Sequence, residues 1–249
     1  MAFPNFKDKH LEEALFNPED YVTWEKMEKY SKTAPTKYIL IYYPKILNYF
    51  KRTHHPKKIN FYRLATIYQH GDIGVVCMTG IGSPNAATVM EELIALGGKE
   101  FLNIGSAGGL VGFGTFLCEK AIRDEGTSTH YLPHTKFAYP TKEFTEKFGI
   151  HLKKRDIQFE KGISWTIDAP YRETKAEIRK YKNGGVKTVE MEASALFSVA
   201  QVRKVKIASA FVVSDTLEKE GWTPKFSSTK LNKQLYELFD AGISFLSKN

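Results

Sequence analysis

The sequence predicts an α/β fold in which parallel strands are joined by helices, and three observations support this prediction. From about residue 36 onward, short β-branched runs alternate with amphipathic stretches, as expected for strands connected by crossover helices. The chain has 249 residues, of which 42% are hydrophobic and 26% are charged, as in an ordinary globular protein. Because no internal repeat or low-complexity linker is visible, we expect a single domain over residues 1–249, with residues 1–35 as an N-terminal arm.

The individual elements are predicted from the period of their apolar residues. Strands are predicted at residues 38–43, 74–78, 101–104, 118–123 and 207–213, and helices at residues 85–96, 141–148, 175–181, 192–202 and 231–246. In the last helix the apolar residues fall on one stripe, which predicts a face packed on the sheet: Leu231, Leu235, Leu238, Phe239 and Leu246.

Composition and charge exclude several classes of protein. The longest apolar runs are far shorter than the roughly 20 residues needed to cross a bilayer, and the first ten residues lack the apolar core of a signal peptide. Cys77 and Cys118 are far apart in the sequence and form no CxxC pair, which is typical of packed thiols in a reducing compartment. The net charge of +8 is scattered in short clusters, which is not typical of a nucleic-acid surface. We therefore expect a cytoplasmic protein with neither a nucleic-acid nor a membrane partner.

A first glycine-containing segment, residues 78–85, follows a predicted strand and opens a predicted helix. Glycine lets the backbone approach a ligand closely, and a helix N-terminus adds partial positive charge, so Gly80 and Gly82 are candidates to bind an anion. A simple strand-to-helix turn would show the same residues. The spacing is neither G-x-G-x-x-G nor a loop ending in Gly-Lys-Ser/Thr, which excludes the two common nucleotide-binding fingerprints.

A second glycine-rich segment, residues 103–110, comes one predicted strand later and contributes the hydroxyl of Ser106. Ligands of open α/β sheets bind at the carboxyl ends of the strands. We therefore expect the two glycine segments to be loops on neighbouring strands that converge on one crevice. The alternative is a flexible turn before a further β-rich region.

Two acidic segments complete the candidate site. Glu190 and Glu192 flank Met191 directly before an apolar helix, and the helix dipole is expected to keep Glu192 ionised. An ionised Glu192 would accept both hydroxyls of a cis-diol, with Met191 against the sugar ring, although simple charge placement at a helix start gives the same pattern. Asp215 follows the apolar run 207–213, where low-dielectric surroundings would suit a carboxyl to proton donation. Aspartate also caps helices, so this residue alone is a weak signal.

In their order and spacing, these four segments resemble the nucleoside phosphorylase family, which includes hexameric purine nucleoside phosphorylases, uridine phosphorylases and methylthioadenosine nucleosidases. The resemblance covers residues 74–217. It implies a single α/β domain with a twisted mixed β-sheet flanked by helices on both sides. It also implies a homo-oligomer, a dimer or a hexamer, with shared active sites that cleave the N-glycosidic bond of a nucleoside.

The resemblance implies a role for each candidate residue. Phosphate would be bound by Gly80, Gly82 and Ser106, the ribose by Met191, Glu192 and a neighbouring subunit's copy of His10, and the base by Trp165, Asp168 and Asp215, with Asp215 and Glu192 as the catalytic residues. The partners are then small molecules, a nucleoside and inorganic phosphate as co-substrate, and no cofactor is implied. We expect no metal site either, because Pro133 separates His130 from His134 and no HExxH pattern occurs.

The same resemblance favours a purine base. The uridine branch has an asparagine-arginine pair where this chain has Ser214 and Asp215. It also has glutamine-x-arginine in the base segment, where residues 171–174 read Tyr-Arg-Glu-Thr.

The sequence gives less direct evidence about whether phosphate or water accepts the sugar. Phosphorolytic members carry two arginines at positions where this chain has Ile46 and Asn103; the candidate replacements are Lys45, Arg63, Arg123 and Arg172. The nucleosidase branch, in which water replaces phosphate, has a glutamate after the first strand that residues 42–45 lack. Residues 124–128 and 168–174 are more similar to the phosphorylases. We therefore expect phosphorolysis to free base and pentose 1-phosphate, with hydrolysis or a catalytically impaired nucleoside-binding protein as the alternatives.

Overall fold

The computed structural model describes residues 4–25, 33–62, 65–218 and 221–248, which contain eleven strands and seven helices. The strands are β1 (Lys37–Ile41), β2 (Lys57–Tyr62), β3 (Ala65–His70), β4 (Ile73–Cys77), β5 (Glu100–Gly109), β6 (Thr115–Asp124), β7 (Phe137–Ala138), β8 (Glu160–Ile167), β9 (Val186–Glu190), β10 (Lys206–Glu218) and β11 (Gly221–Pro224). The helices are α1 (Pro18–Trp24), α2 (Pro44–His54), α3 (Ser83–Ala95), α4 (Lys142–Lys154), α5 (Lys175–Asn183), α6 (Ala193–Arg203) and α7 (Thr229–Leu246).

The strands form one mixed sheet with the order β11-β10-β6-β8-β9-β5-β1-β4-β3-β2, and β7 pairs with β6. Strand β1 lies between β4 and β5 and is parallel to both. Strand β5 also pairs in parallel with β10, so that β10, β6, β8, β9 and β5 close into a ring. The predicted fold class, a mixed α/β sheet, is confirmed.

Helices cover both faces of the sheet, as expected. On one face, α3 and α6 contribute Leu93 and Leu196 to a buried cluster that includes Leu40 of β1. On the other face, helices α2, α4 and α7 pack on Ile39 and Ile41 of the same strand. Successive side chains of a strand point to opposite faces, which is why β1 contributes to both cores.

The second glycine-rich segment is a strand and not the loop that the sequence analysis predicts. Strand β5 continues through Gly109, which pairs with Thr216 of β10 and Thr188 of β9. An added Cβ at Gly109 would lie 2.5 Å from the carbonyl oxygen of Gly112 and 2.7 Å from a methyl carbon of Val213. The glycines therefore serve close backbone packing. The two glycine segments are also not on adjacent strands, because β1 separates β4 from β5.

The N-terminal region packs on α3 through α1, and Val22 of α1 is buried there. Its preceding residues leave large apolar side chains in solvent: Leu15 is fully exposed and Phe16 is 70% exposed. In the described part of the chain, every helix is too short or too polar to span a bilayer.

We expect Gly109→Ala to lower the free energy of unfolding by about 1–3 kcal/mol, because the new methyl group meets backbone and a buried valine that cannot move away cheaply. Gly114→Ala is the matched control, since the nearest atom to its new Cβ is a Phe116 ring carbon at 3.5 Å. Urea denaturation of both variants measures the difference. Equal stability of the two variants would contradict the close-packing role of Gly109.

Candidate active site

A cavity of about 440 Å³ lies where the segments after β1 and β4 meet the middle of β5, the end of β9 and strand β10. Its lining includes Ser106, Met191, Glu192 and Asp215. These residues come from three separate segments of the chain and were all predicted as site residues. The structure therefore brings part of the predicted set, one phosphate contact, two ribose contacts and one base contact, to a common cavity.

The first glycine segment is joined to the start of α6. The amide of Gly82 donates a hydrogen bond of 2.6 Å to Oε1 of Glu192, and the hydroxyl of Ser83 donates to the carbonyl of Met191 at 2.7 Å. Gly82 has a φ of 102°, a conformation that favours glycine. The loop amide thus donates to the chain's own Glu192 carboxyl, and the predicted binding of an anionic ligand by this loop stays a prediction.

The surroundings of Glu192 favour its neutral form, whereas the sequence analysis expects the helix dipole to favour the ionised form. Burial and the neighbouring charge of Glu190 raise its pKa to about 8, against the hydrogen bond from Gly82. Glu192 precedes α6 as its N-cap residue, but its side chain makes no capping hydrogen bond with the helix. Dipole stabilisation is worth about 0.3–1 kcal/mol near a helix terminus and is smaller than the cost of burying the charge.

Glu190 fixes the backbone that presents Met191 and Glu192. Its buried carboxyl accepts hydrogen bonds from the amides of Glu192 and Ala193 at 2.8 and 2.7 Å, and from the hydroxyls of Thr166 and Ser164 at 2.5 and 3.2 Å. Burial raises the pKa of Glu190, and these donors oppose the shift. The carboxyl therefore connects β8 to the turn between β9 and α6.

Asp215 is distant from this turn in the sequence but lines the same cavity. The hydroxyl of Ser214 donates to its Oδ1 at 2.7 Å, and the indole N–H of Trp222 donates to its Oδ2 at 2.8 Å. Trp222 reaches this position because β11 folds back antiparallel onto the end of β10. Both carboxyl oxygens of Asp215 therefore already accept hydrogen bonds.

Glu173 is a cavity residue that the sequence analysis did not single out. It follows a short 3-10 turn, Pro170–Arg172, and lines the cavity together with Asp215. Burial and the charge of Asp215 raise the pKa of Glu173 to about 7. Its position within residues 171–174, which the sequence analysis compared with the base segment of the uridine branch, was the available signal.

The phosphate side of the cavity has uncharged donors. The hydroxyl of Ser106 donates to the hydroxyl oxygen of Tyr43 at 3.1 Å. Gly80 does not line the cavity, and its carbonyl accepts from Asn85 at 3.0 Å. Tyr42 and Tyr43, which follow β1, were not predicted as site residues. They enter the cavity because β1 lies between β4 and β5.

Neither lysine nor arginine occurs among the described residues that line this cavity, whereas four carboxyl residues do: Glu173, Glu190, Glu192 and Asp215. Among the candidate cations, Lys45 and Arg172 are exposed and outside the lining. Arg123 is held by the hydroxyls of Ser128 and Thr135 and by backbone carbonyls. Arg63 lies outside the described residues.

The other two predicted base contacts do not reach the cavity. Trp165 is fully buried, donates to Asp124 at 2.8 Å, and packs on Tyr181. Strand alternation explains this, because the hydroxyls of its neighbours Ser164 and Thr166 point to Glu190 and the indole points to the other side. Asp168 accepts from the amide of Gly126 at 2.8 Å and lines a separate cavity of about 960 Å³ beside α1 and α3.

His10 also lies outside the candidate site of its own chain. It lines a cavity of about 450 Å³ that also contains Thr129 and His134. Its proposed contribution to a neighbouring subunit's ribose site stays a prediction. Among the described residues, no group of histidine, cysteine and acidic side chains is arranged to hold a metal ion.

Comparison with known proteins places these residues in context. The family model described as "Phosphorylase superfamily" matches residues 41–244. A guanosine phosphorylase of Halorubrum lacusprofundi is 28% identical over 162 residues, which are 63% of this chain and 66% of that relative. A uridine phosphorylase of Haemophilus influenzae is 29% identical over 150 residues, which are 53% of this chain and 60% of that relative. The matched segments thus span less than two thirds of either relative.

A similar fold is found among solved structures. The crystal structure of an AMP nucleosidase from Bacteroides thetaiotaomicron superimposes with a TM-score of 0.76 and 20% identity, over 94% of this chain and all of that chain. At this identity the likeness shows the fold alone.

We expect the stability of the protein to fall as pH rises, and the variant Glu192→Gln to reduce that fall. The pKa of Glu192 is about 8 in the folded chain, above its ordinary value of 4.5. The neutral carboxyl therefore makes its full contribution to the free energy of unfolding below about pH 4.5, and this contribution is lost as pH rises to about 8. Glutamine keeps an acceptor for the Gly82 amide but does not ionise. Thermal unfolding of both proteins between about pH 5 and pH 9 tests this, and parallel curves would contradict it.

Proposed function

Because the chain belongs to the phosphorylase superfamily, we propose that it cleaves the N-glycosidic bond of a purine nucleoside in the 440 Å³ cavity. The observation that carries this proposal is the juxtaposition of Glu192 and Asp215. They lie in different segments of the chain yet line one cavity, beside the glycine-rich strand β5. This is the arrangement that a sugar and its base, bound side by side, require.

The ribose is assigned to Met191 and Glu192. A cis-diol brings two hydroxyl donors to Glu192, whose Oε1 already accepts the Gly82 amide. Those donors stabilise the ionised carboxyl, so that ribose binding is expected to lower the pKa of Glu192 from its value of about 8. Recognition of the sugar is thereby coupled to proton release.

The base is assigned to the end of the cavity that carries Asp215 and Glu173. As the bond from sugar to base breaks, the sugar becomes oxocarbenium-like and the base gathers electrons. A carboxylic acid that protonates the base eases its departure, typically by about 10² to 10⁴-fold. A nearby ionised Glu192 stabilises the positive sugar electrostatically. Purine is preferred over uracil because this end carries carboxyls, where the uridine branch has an arginine.

Phosphate is the acceptor that we propose. The two relatives compared above are both named phosphorylases, and the nucleoside phosphorylases of this family act without a cofactor and with phosphate as co-substrate. The donors available to it are the hydroxyls of Ser106 and Tyr43 and the amide of Gly82, which donates to Glu192. To bind there, phosphate has to displace Glu192 from the Gly82 amide.

Hydrolysis is the second candidate, and one observation favours it. The described lining has no lysine or arginine, so a dianion would lack the charge-assisted hydrogen bonds that normally offset its dehydration. Water needs no such partner.

We propose further that the protein acts in the cytoplasm as a homo-oligomer, in which His10 completes a neighbouring site.

A phosphate-dependence assay tests the reaction. We expect guanosine or inosine to give free base and ribose 1-phosphate, with half-saturation by phosphate in the millimolar range because charged donors are lacking. Free ribose formed at the same rate without phosphate would instead establish hydrolysis. Nucleoside binding without release of base under either condition would contradict an enzymatic function.

We expect Asp215→Asn to lower kcat/KM for purine nucleoside cleavage by about 10²-fold or more at pH 7, because it removes a carboxyl from the base side. Asp156→Asn is the matched control, since Asp156 is exposed and has a φ of 56°, a conformation that asparagine also tolerates. Both variants are compared with the wild-type protein by steady-state kinetics and thermal unfolding. An Asp215→Asn enzyme of wild-type activity would remove Asp215 from the proposed site.

A further inference from the structure

The two carboxyls on the base side of the cavity differ in their hydrogen bonds. Asp215 accepts one donor on each oxygen, from Ser214 and from Trp222. The side chain of Glu173 takes part in no hydrogen bond or ion pair with any described residue. Its backbone is nevertheless fixed, because the amide of Glu173 donates to the carbonyl of Pro170 and the next residue caps α5.

This difference leaves the carboxyl oxygens of Glu173 available to a ligand, whereas both oxygens of Asp215 already accept hydrogen bonds. Donors on carboxyl oxygens favour the ionised form, whereas burial without donors favours the neutral form. The pKa of Glu173 is accordingly raised to about 7, by burial first and then by the charges of Asp215 on β10 and Glu177 on α5. Glu190 and Glu192 line the same cavity, and the exposed Arg172 lies outside it. Two carboxyls with such different surroundings can serve different roles in catalysis, and Glu173 is the one suited to donate a proton.

We propose that Glu173 is the general acid that protonates the leaving base, and that Asp215, held by Ser214 and Trp222, lies beside it. This inference rests on the proposed function and changes the source of the proton from the residue that the sequence indicated. The O–H bond of Glu173 breaks as an N–H bond forms at N7 of the purine. The bond between the sugar carbon and N9 breaks and its electron pair passes into the purine ring, while an oxygen of the co-substrate phosphate forms the new bond to the sugar carbon. Glu173 is left as a carboxylate, and the proton that the phosphate loses to solvent balances the proton that Glu173 regains from solvent after the base departs.

A substrate that needs no proton distinguishes a general acid from a structural residue. In 7-methylguanosine the methyl group on N7 already gives the imidazole ring a positive charge, so the base leaves as a neutral molecule. The loss of a general acid should therefore slow cleavage of guanosine much more than cleavage of 7-methylguanosine. We compare the wild-type protein with the variants Glu173→Gln, Asp215→Asn and Glu177→Gln on both substrates.

Glu177→Gln is the matched control. Glu177 lies four residues further along, outside the cavity, and its carboxyl accepts hydrogen bonds from the amide and hydroxyl of Thr174. These bonds lower the pKa of Glu177, in contrast to Glu173. Glutamine can form the same capping box, so this variant removes a neighbouring negative charge and keeps the fold.

We expect Glu173→Gln to lower kcat/KM for guanosine by about 10²-fold and to leave 7-methylguanosine cleavage within about threefold of wild type. Wild-type activity on guanosine should fall as pH rises through about 7, the pKa of Glu173, and this limb should be missing in Glu173→Gln. Glu177→Gln should retain wild-type activity on both substrates. Thermal unfolding confirms that each variant is folded, and Glu173→Met provides a second uncharged side chain of similar size.

An equal loss on both substrates in Glu173→Gln would overturn the inference, because a structural role slows both. It would also be overturned if 7-methylguanosine rescued Asp215→Asn but not Glu173→Gln, since Asp215 would then be the acid. In either case guanosine is still cleaved by the wild-type protein, and the proposed function stands. If the wild-type protein cleaves neither nucleoside, the proposed function is wrong and this inference is wrong with it.

Discussion

The hydrogen bonds to the buried carboxyl of Glu190 are the interaction on which the rest of the cavity depends. Burying a carboxyl without partners is costly, and here two amides and two hydroxyls offset the cost. The amides belong to the first residues after β9, so the strand can end and α6 can begin only in one geometry. Met191 and Glu192 occupy that turn, which explains why their side chains face the cavity.

A second constraint follows from the number of acids around this turn. Four carboxyl residues share a cavity of about 440 Å³, and the described lining offers them no lysine or arginine. Burial, together with the repulsion between like charges, raises the pKa of Glu192 to about 8 and that of Glu173 to about 7. Such a cavity favours ligands that bring hydrogen-bond donors, and a ribose with its two hydroxyls does so. The same charges oppose the entry of phosphate, so the acceptor step is the one that the site supports least.

The sequence predicted those elements and site residues that depend on their immediate neighbours in the chain. Glu192 and Asp215 were found because each acid directly adjoins an apolar element, and all ten predicted strands and helices have counterparts. Trp165 was predicted to contact the base from its place in the sequence, but strand alternation turns its indole away from the cavity. Trp222 and Tyr43 were missed because long-range pairing brings them to the site: β11 folds onto β10, and β1 inserts between β4 and β5. Glu173 was missed because its isolation from hydrogen-bond donors is a property of the folded chain.

The most direct test is a crystal structure of the protein with a purine nucleoside bound. We predict that the ribose hydroxyls lie within hydrogen-bond distance of Glu192 and that the purine lies against Asp215 and Glu173. A nucleoside bound instead in the cavity of about 960 Å³ beside α1 and α3 would contradict this account, as would a pose in which the ribose is out of reach of Glu192.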